Sequence, residues 1–309
     1  MNGNDISKKR RFFFRRVRRR RLQYITLLPS LVTLINGVCG FAAIGLAAKG
    51  PEYFTAAAYI IFAAMVADML DGRLARMSHS TSSFGGQLDS LCDVISFGAA
   101  PAFLSLKLLT NSMPIILSPS TALLGDFVER LIWLSAAVYL CCAAVRLARF
   151  NVENVEDETS HMSFSGLPTP AAAGMLASMV LLYRYLVRDP AASTALFAFG
   201  RFAVIYTMPF VTLWLAGLMV SRIRYPHVVN QYLRGRKPII HLVWTAALMG
   251  VIFLCGLQMA TVIIFGGFAA SGFVKWLWYH TPLGRMLGHK IPVHSAAGSH
   301  VGGVEQKTR

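Results

Sequence analysis

Residues 66–98 read VADMLDGRLARMSHSTSSFGGQLDSLCDVISFG, and the spacing of four aspartates in this stretch organises the rest of the chain. Asp68 and Asp71 close an apolar run and stand three apart, so a helix places both on one face. Asp89 and Asp93 open the next apolar run four apart, again on one helical face. Gly72, Ala75, Arg76 and Gly85 lie between the pairs, and the polar segment from Met77 to Phe84 reads as a turn. Two helices joined by that turn make an antiparallel hairpin whose mouth gathers four carboxylates.

Four like charges at the edge of a bilayer either protonate or need a counter-charge. Arg76 alone compensates too little. Oxygen-only ligands suit hard cations, so one or two Mg²⁺ or Mn²⁺ ions are the expected occupants. Each aspartate taken singly could cap a helix or sit in a loop, Asp89 behind Gly85–Gly86 above all. The cost of intramembrane charge weighs against that reading for all four together.

Outward from the hairpin, composition sets the frame. Of 309 residues, 55% are hydrophobic and 14% charged, against about a quarter charged in a soluble domain. The five cysteines, at 39, 92, 141, 142 and 255, fall in apolar segments without a CxxC pair and read as small core residues. The eight histidines show no metal-ligand spacing. Apolar windows of about 20 residues mark spanning helices. They fall at 27–48, 54–77, 85–109, 129–149, 169–187, 202–221, 239–258 and 260–279. The expected fold is therefore an all-α, polytopic membrane protein of about eight spans, a six-helix core followed by a terminal hairpin hinged near Gln258.

The formal net charge of +16 is concentrated in blocks. Residues 8–21, KKRRFFFRRVRRRR, hold ten basic side chains and abut the first apolar run. A basic-aromatic mixture can bind nucleic acid, but a juxtamembrane position favours anionic lipid headgroups. A signal peptide is the other reading of this end. The apolar stretch from Leu27 to Ala48 exceeds the roughly 7–15 residues of a signal core, so a helix is expected. With the N-terminus inside, the inside segments 1–26, 78–84, 150–168, 222–238 and 280–309 carry most of the loop cations. The outside loops hold Lys49, Lys107, Arg188 and Arg201. Basic residues favour the cytoplasmic face, which puts the hairpin mouth and both termini there, in a multi-pass inner-membrane protein. The expected organisation is a basic segment at 1–26, a core at 27–221, an extra membrane hairpin at 222–280 and a polar tail at 281–309.

The run D-x2-D-G-x2-A-R-x8-G-x3-D-x3-D, complete from Asp68 to Asp93, resembles the signature of the CDP-alcohol phosphatidyltransferases, integral membrane enzymes of phospholipid synthesis. The resemblance extends to the first span, PSLVTLINGVCG at 29–40, where the family has Pro-Asn-x2-Thr-x2-Asn lining the nucleotide pocket. Thr33 and Asn36 match that run, and Ser30 departs from it. Interhelical hydrogen bonding is their other reading. Gly72 and Gly85 permit close approach, of a nucleotide or of another helix. Arg76 could pair bidentately with a phosphate. Ser82 sits where the family often has a hydroxyl at the nucleotide, and plain turn chemistry is the alternative. The implied CDP-diacylglycerol contacts are thus Thr33, Asn36, Gly72, Ala75, Arg76, Ser82 and Gly85. The implied metal ligands are Asp68, Asp71, Asp89 and Asp93, with Asp93 also the general base.

SFGAAPA at 96–102, AVRLARFNVEN at 144–154 and FSGLPTPAAAG at 164–174 resemble the bacterial phosphatidylserine synthase subgroup. That likeness implies CDP-diacylglycerol and L-serine as substrates. Serine is a zwitterion and needs a cation for its carboxylate. Arg146 and Arg149 could supply it, with Asn151 near the headgroup; membrane anchoring is the other role for the two arginines. The acidic cluster Glu153, Glu156, Asp157 and Glu158 reads as a solvated loop. Three rivals stand beside this reading. One is a sister enzyme using glycerol 3-phosphate, inositol phosphate or choline. The others are a cation transporter, which would not need Arg76 and two glycines in register, and a lipid-binding scaffold, which would not need the aspartates. A homodimer is left open.

Overall fold

A computed structural model describes residues 30–77, 83–116, 122–156, 166–188, 194–223, 225 and 238–280, with side chains described over most of these. The described residues are almost entirely helical. Helix α1 runs Ser30–Lys49. A single 3₁₀ turn, Pro51–Tyr53, leads into α2, Phe54–Met77. Helix α3, Ser83–Asp93, passes through a π-helical stretch, Val94–Ala99, into α4, Ala100–Ile116. Then follow α5, Ala122–Glu156, α6, Thr169–Arg188, and α7, Ala195–Val220. The last, α8, covers Pro238–His280 and is broken at Gly256, whose φ of 76° no other residue type adopts readily.

Seven helices among the described residues are long and apolar enough to cross a membrane. They coincide with seven of the expected windows. The remaining window, 239–258, falls mainly on the helical residues before Gly256, whose side chains lie outside the description. The expected hinge near Gln258 is the break at Gly256, two residues earlier. Large apolar side chains such as Phe41, Leu196 and Phe199 are more than 70% exposed, as suits surfaces meeting hydrocarbon rather than water.

Helix α6 sits at the centre. Every residue from Ala172 to Leu182 is buried, and the helix packs on α2, α4, α7, α8 and the π-helical stretch. A helix that is apolar all round belongs inside a bundle. Its alanine- and glycine-rich start permits close packing, and the Phe265 ring of α8 lies where a side chain on Gly174 would go. Helix α1 docks on the other side of the site by the same device. A Cβ on Gly40 would come 2.6 Å from Ser96 Cα, and one on Gly37 would come 2.9 Å from Cys92 Sγ. Cys39, Cys92, Cys141 and Cys142 are free, as their apolar setting implied.

Candidate active site

The end of α2 and the start of α3 meet as a hairpin. Asp68, Asp71 and Asp89 each offer an oxygen within 4.8 Å of the others. The spacing of the two aspartate pairs thus becomes one cluster because each helix presents its carboxylates on a single face. Asp71 is 4% exposed and takes a hydrogen bond from Thr33 of α1. Asp71 Oδ2 and Asp89 Oδ1 are buried with no protein hydrogen-bond partner. Buried carboxylate oxygens without donors are costly, and a divalent cation is the group that three convergent carboxylates satisfy best. The donor set fits a hard metal ion.

Asp93 lies beside that set of three and lines the same cavity as Asp68 and Asp89. It is 7% exposed, and the Asn36 side-chain amide donates to its Oδ1 at 2.9 Å. The Ser96 hydroxyl, at 2.7 Å from the Cys92 carbonyl and 3.2 Å from that of Asn36, fastens α1 to the π-helical stretch one turn on. Thr33 and Asn36, expected to touch nucleotide, each donate a hydrogen bond to one of these carboxylates. Gly72 shows the reverse. A Cβ there would meet nothing within 4 Å, so this glycine leaves open space instead of bringing helices together. Gly85 is half-buried in the first turn of α3. Ala75 and Arg76 continue α2, with their side chains outside the description, and Ser82 lies outside the described residues.

A cavity of ≈ 300 Å³ opens beside the hairpin. Its lining includes Asp68, Asp89, Ser90 and Asp93 of the hairpin, Arg146 of α5, Thr169 at the start of α6, Gly166 and Tyr225. Arg146 donates from Nη1 to Thr169 Oγ1 at 3.0 Å, and its Nε is buried without a partner. A guanidinium fixed at one edge with a donor to spare is suited to an incoming carboxylate or phosphate. Arg149, one turn on, is half-buried and is not among the cavity's wall residues. Asn151 is occupied by the Ser90 hydroxyl, which donates to its Oδ1 at 2.9 Å and ties α3 to the end of α5.

Thr169 and Tyr225 were not singled out by sequence reasoning. Thr169 had a local signal, since a hydroxyl between Pro168 and Pro170 marks a helix start. Tyr225 had none. Its position comes from long-range packing. The backbone N–H of Gly166, at φ 92°, donates to Ile223 O at 2.8 Å, and that of Leu167 to Leu218 O at 3.0 Å. These bonds lay the loop before α6 against the end of α7 and bring Tyr225 to the cavity. The Tyr225 hydroxyl donates to Ala269 O of α8 at 3.0 Å. Burial pushes its phenol up to about 12, so it remains a neutral donor at physiological pH.

Comparison with known proteins points to one family. The family model of the CDP-alcohol phosphatidyltransferases matches residues 26–214. A Helicobacter pylori protein named CDP-diacylglycerol–serine O-phosphatidyltransferase is 30% identical over 255 residues, 82% of this chain and 92% of its own length. Proteins of the same name from Methanocaldococcus jannaschii and Bacillus subtilis are each 30% identical. The first aligns over 211 residues, 68% of this chain and 79% of its own. The second aligns over 200 residues, 65% of this chain and 90% of its own.

Proposed function

This chain belongs to the CDP-alcohol phosphatidyltransferase family, and from that premise we propose that it transfers the phosphatidyl group of CDP-diacylglycerol to L-serine, releasing CMP. One observation favours serine over a phosphorylated acceptor. Arg146 is the only basic side chain among the described residues that line the cavity. An inositol phosphate or glycerol phosphate is a dianion and calls for several converging cations, whereas serine brings a single carboxylate. Choline would leave Arg146 facing a like charge.

Asp68, Asp71 and Asp89 would hold Mg²⁺ or Mn²⁺, two ions in our reading, with Asp93 as a further oxygen donor. Divalent ions held there would supply Lewis acidity that offsets the negative charge developing on the leaving CMP. Asp93 has its carboxylate turned by Asn36, and it accepts the proton of the serine hydroxyl. The freed oxygen forms a bond to the phosphorus bearing diacylglycerol, and the bond from that phosphorus to the CMP oxygen breaks. Arg146, held by Thr169, receives the serine carboxylate. The open side of Gly72, together with Gly85, Ala75, Arg76 and Ser82, is assigned to the cytidine and pyrophosphate. Arg149 and Asn151, further along the same end of α5, are assigned secondary contacts to the acceptor headgroup, Asn151 through its tie to the cavity residue Ser90. The asymmetry of the loop cations supports a cavity open to the cytoplasmic side of the inner membrane, where serine is soluble and the diacylglycerol tails stay in the leaflet. The basic N-terminal segment would rest on anionic lipids.

Steady-state kinetics on purified protein test the acceptor assignment. Arg146→Ala should raise the KM for serine roughly ten- to a hundred-fold, the loss of one charge-assisted hydrogen bond of about 1.5–3 kcal/mol. The KM for CDP-diacylglycerol should move much less. An unchanged serine KM would remove Arg146 from the acceptor site.

A further inference from the structure

The family match ends at residue 214, yet one described residue of the cavity lining, Tyr225, lies beyond it. Tyr225 is 7% exposed and, with Phe150, is one of two large aromatic side chains among the described residues lining the cavity. Its surroundings are made for it. Its ring fills the space over Gly272 of α8, where a Cβ would clash with it, and lies 5.7 Å from the Phe268 ring. Its hydroxyl is held by the Ala269 carbonyl. Three consecutive features of one α8 face, a ring, a carbonyl and a missing side chain, therefore fix the aromatic plane. The phenol's own hydrogen bond points into α8, so the part of Tyr225 offered to the cavity is the ring. That makes it a steric surface.

We infer that Tyr225 is a specificity-determining residue that limits the size of the acceptor alcohol, and that Gly272 of α8 is the positioning residue that seats it. The inference rests on the acceptor occupying the Arg146–Thr169 side of the cavity, as proposed above. It gives the C-terminal helix a task in the reaction without placing any of its side chains in the chemistry. An alcohol anchored through its carboxylate on Arg146 and with its hydroxyl towards Asp93 has its carbon substituents confined by the remaining wall. Gly166 and Pro168 are short, and the bulk comes from Tyr225 together with Leu147 and Phe150 of α5.

The test uses the full-length protein with CDP-diacylglycerol, comparing kcat/KM for serine with that for threonine, which adds one methyl beside the hydroxyl. Tyr225→Ala should lower the serine-to-threonine ratio roughly ten-fold, the scale on which a fitted pocket discriminates one carbon. Its KM for CDP-diacylglycerol should stay near the wild-type value. Tyr225→Phe keeps the ring and should keep the ratio. Gly272→Ala pushes on the ring from α8 and should change the ratio in otherwise wild-type protein, but not in the Tyr225→Ala background, because the two act through one contact. An unaltered ratio in folded Tyr225→Ala overturns the inference. If Tyr225→Ala does not fold, an unaltered ratio in Gly272→Ala does so. Additive effects in the double variant would overturn the role given to α8. Should the wild-type enzyme prefer another alcohol, the serine reading fails. The Tyr225 inference is then tested on that alcohol and its next larger homologue.

Discussion

Gly40→Ala is the smallest change that should separate the scaffold from the site. The added Cβ would lie 2.6 Å from Ser96 Cα and 2.8 Å from Ser96 N, against the 3.4 Å at which ordinary contact begins. Both atoms are backbone in a packed π-helical stretch, so no side chain can turn aside, and α1 must move off by several tenths of an ångström. Overpacking of this kind costs about 1–3 kcal/mol. The displacement does not end there. Asn36 lies one turn earlier on the same helix and donates to Asp93 at 2.9 Å. Lengthening that bond by a similar amount carries it beyond the roughly 3.2 Å upper range of a good N–H···O hydrogen bond. A buried carboxylate then loses a bond worth about 1.5–3 kcal/mol. Gly45 is the internal control, since a Cβ on it would meet nothing within 4 Å. In thermal unfolding of detergent-solubilised protein, Gly40→Ala should melt lower than wild type and Gly45→Ala should not. In CMP-release assays at a temperature where both are folded, kcat should fall roughly ten-fold or more for Gly40→Ala only, as expected when an oriented catalytic group is lost. Equal behaviour of the two variants would refute the account of how α1 holds Asp93.

Asp93→Asn should abolish turnover while retaining CDP-diacylglycerol binding better than Asp68→Asn, measured by binding of labelled substrate; substantial activity in Asp93→Asn would remove it as the base. Added Mg²⁺ or Mn²⁺ should raise the melting temperature of the wild-type protein, since ligands of the folded state alone stabilise it. Asp71→Ala should erase that rise, and a rise of undiminished size would place the metal elsewhere. A single cysteine introduced at Ser80 in a background lacking the native cysteines should react with impermeant reagents only from the cytoplasmic side; labelling from outside intact cells would overturn the orientation.

The convergence of Asp68, Asp71 and Asp89 was legible because it depends on local periodicity and one short turn, which a sequence displays directly. Seven spans were legible for a similar reason, since a bilayer imposes a length and a composition. Helix ends were less so. The fourth window, 129–149, proves to be the middle of α5, which starts at Ala122 and ends at Glu156. Hydropathy follows the hydrocarbon slab, whereas the backbone ladder continues into polar residues at both ends. What the sequence hid is long-range. Asn36 reaches Asp93 across 57 positions, and Arg146 reaches Thr169 across 23. Nothing in the local pattern around Thr33 or Asn36 distinguishes a side chain that holds a carboxylate from one that touches a nucleotide. Tyr225 comes to the cavity only through backbone pairing of the loop before α6 with the end of α7.

The central claim is phosphatidyl transfer to serine, and CMP release from CDP-diacylglycerol by the purified protein, followed across a panel of alcohols, tests it most directly. With Mg²⁺ or Mn²⁺ present, the account predicts serine-dependent CMP release with one phosphatidylserine formed per CMP, and little release with glycerol 3-phosphate, inositol phosphate or choline. Release driven by a phosphorylated alcohol or by choline, with serine inert, would contradict it.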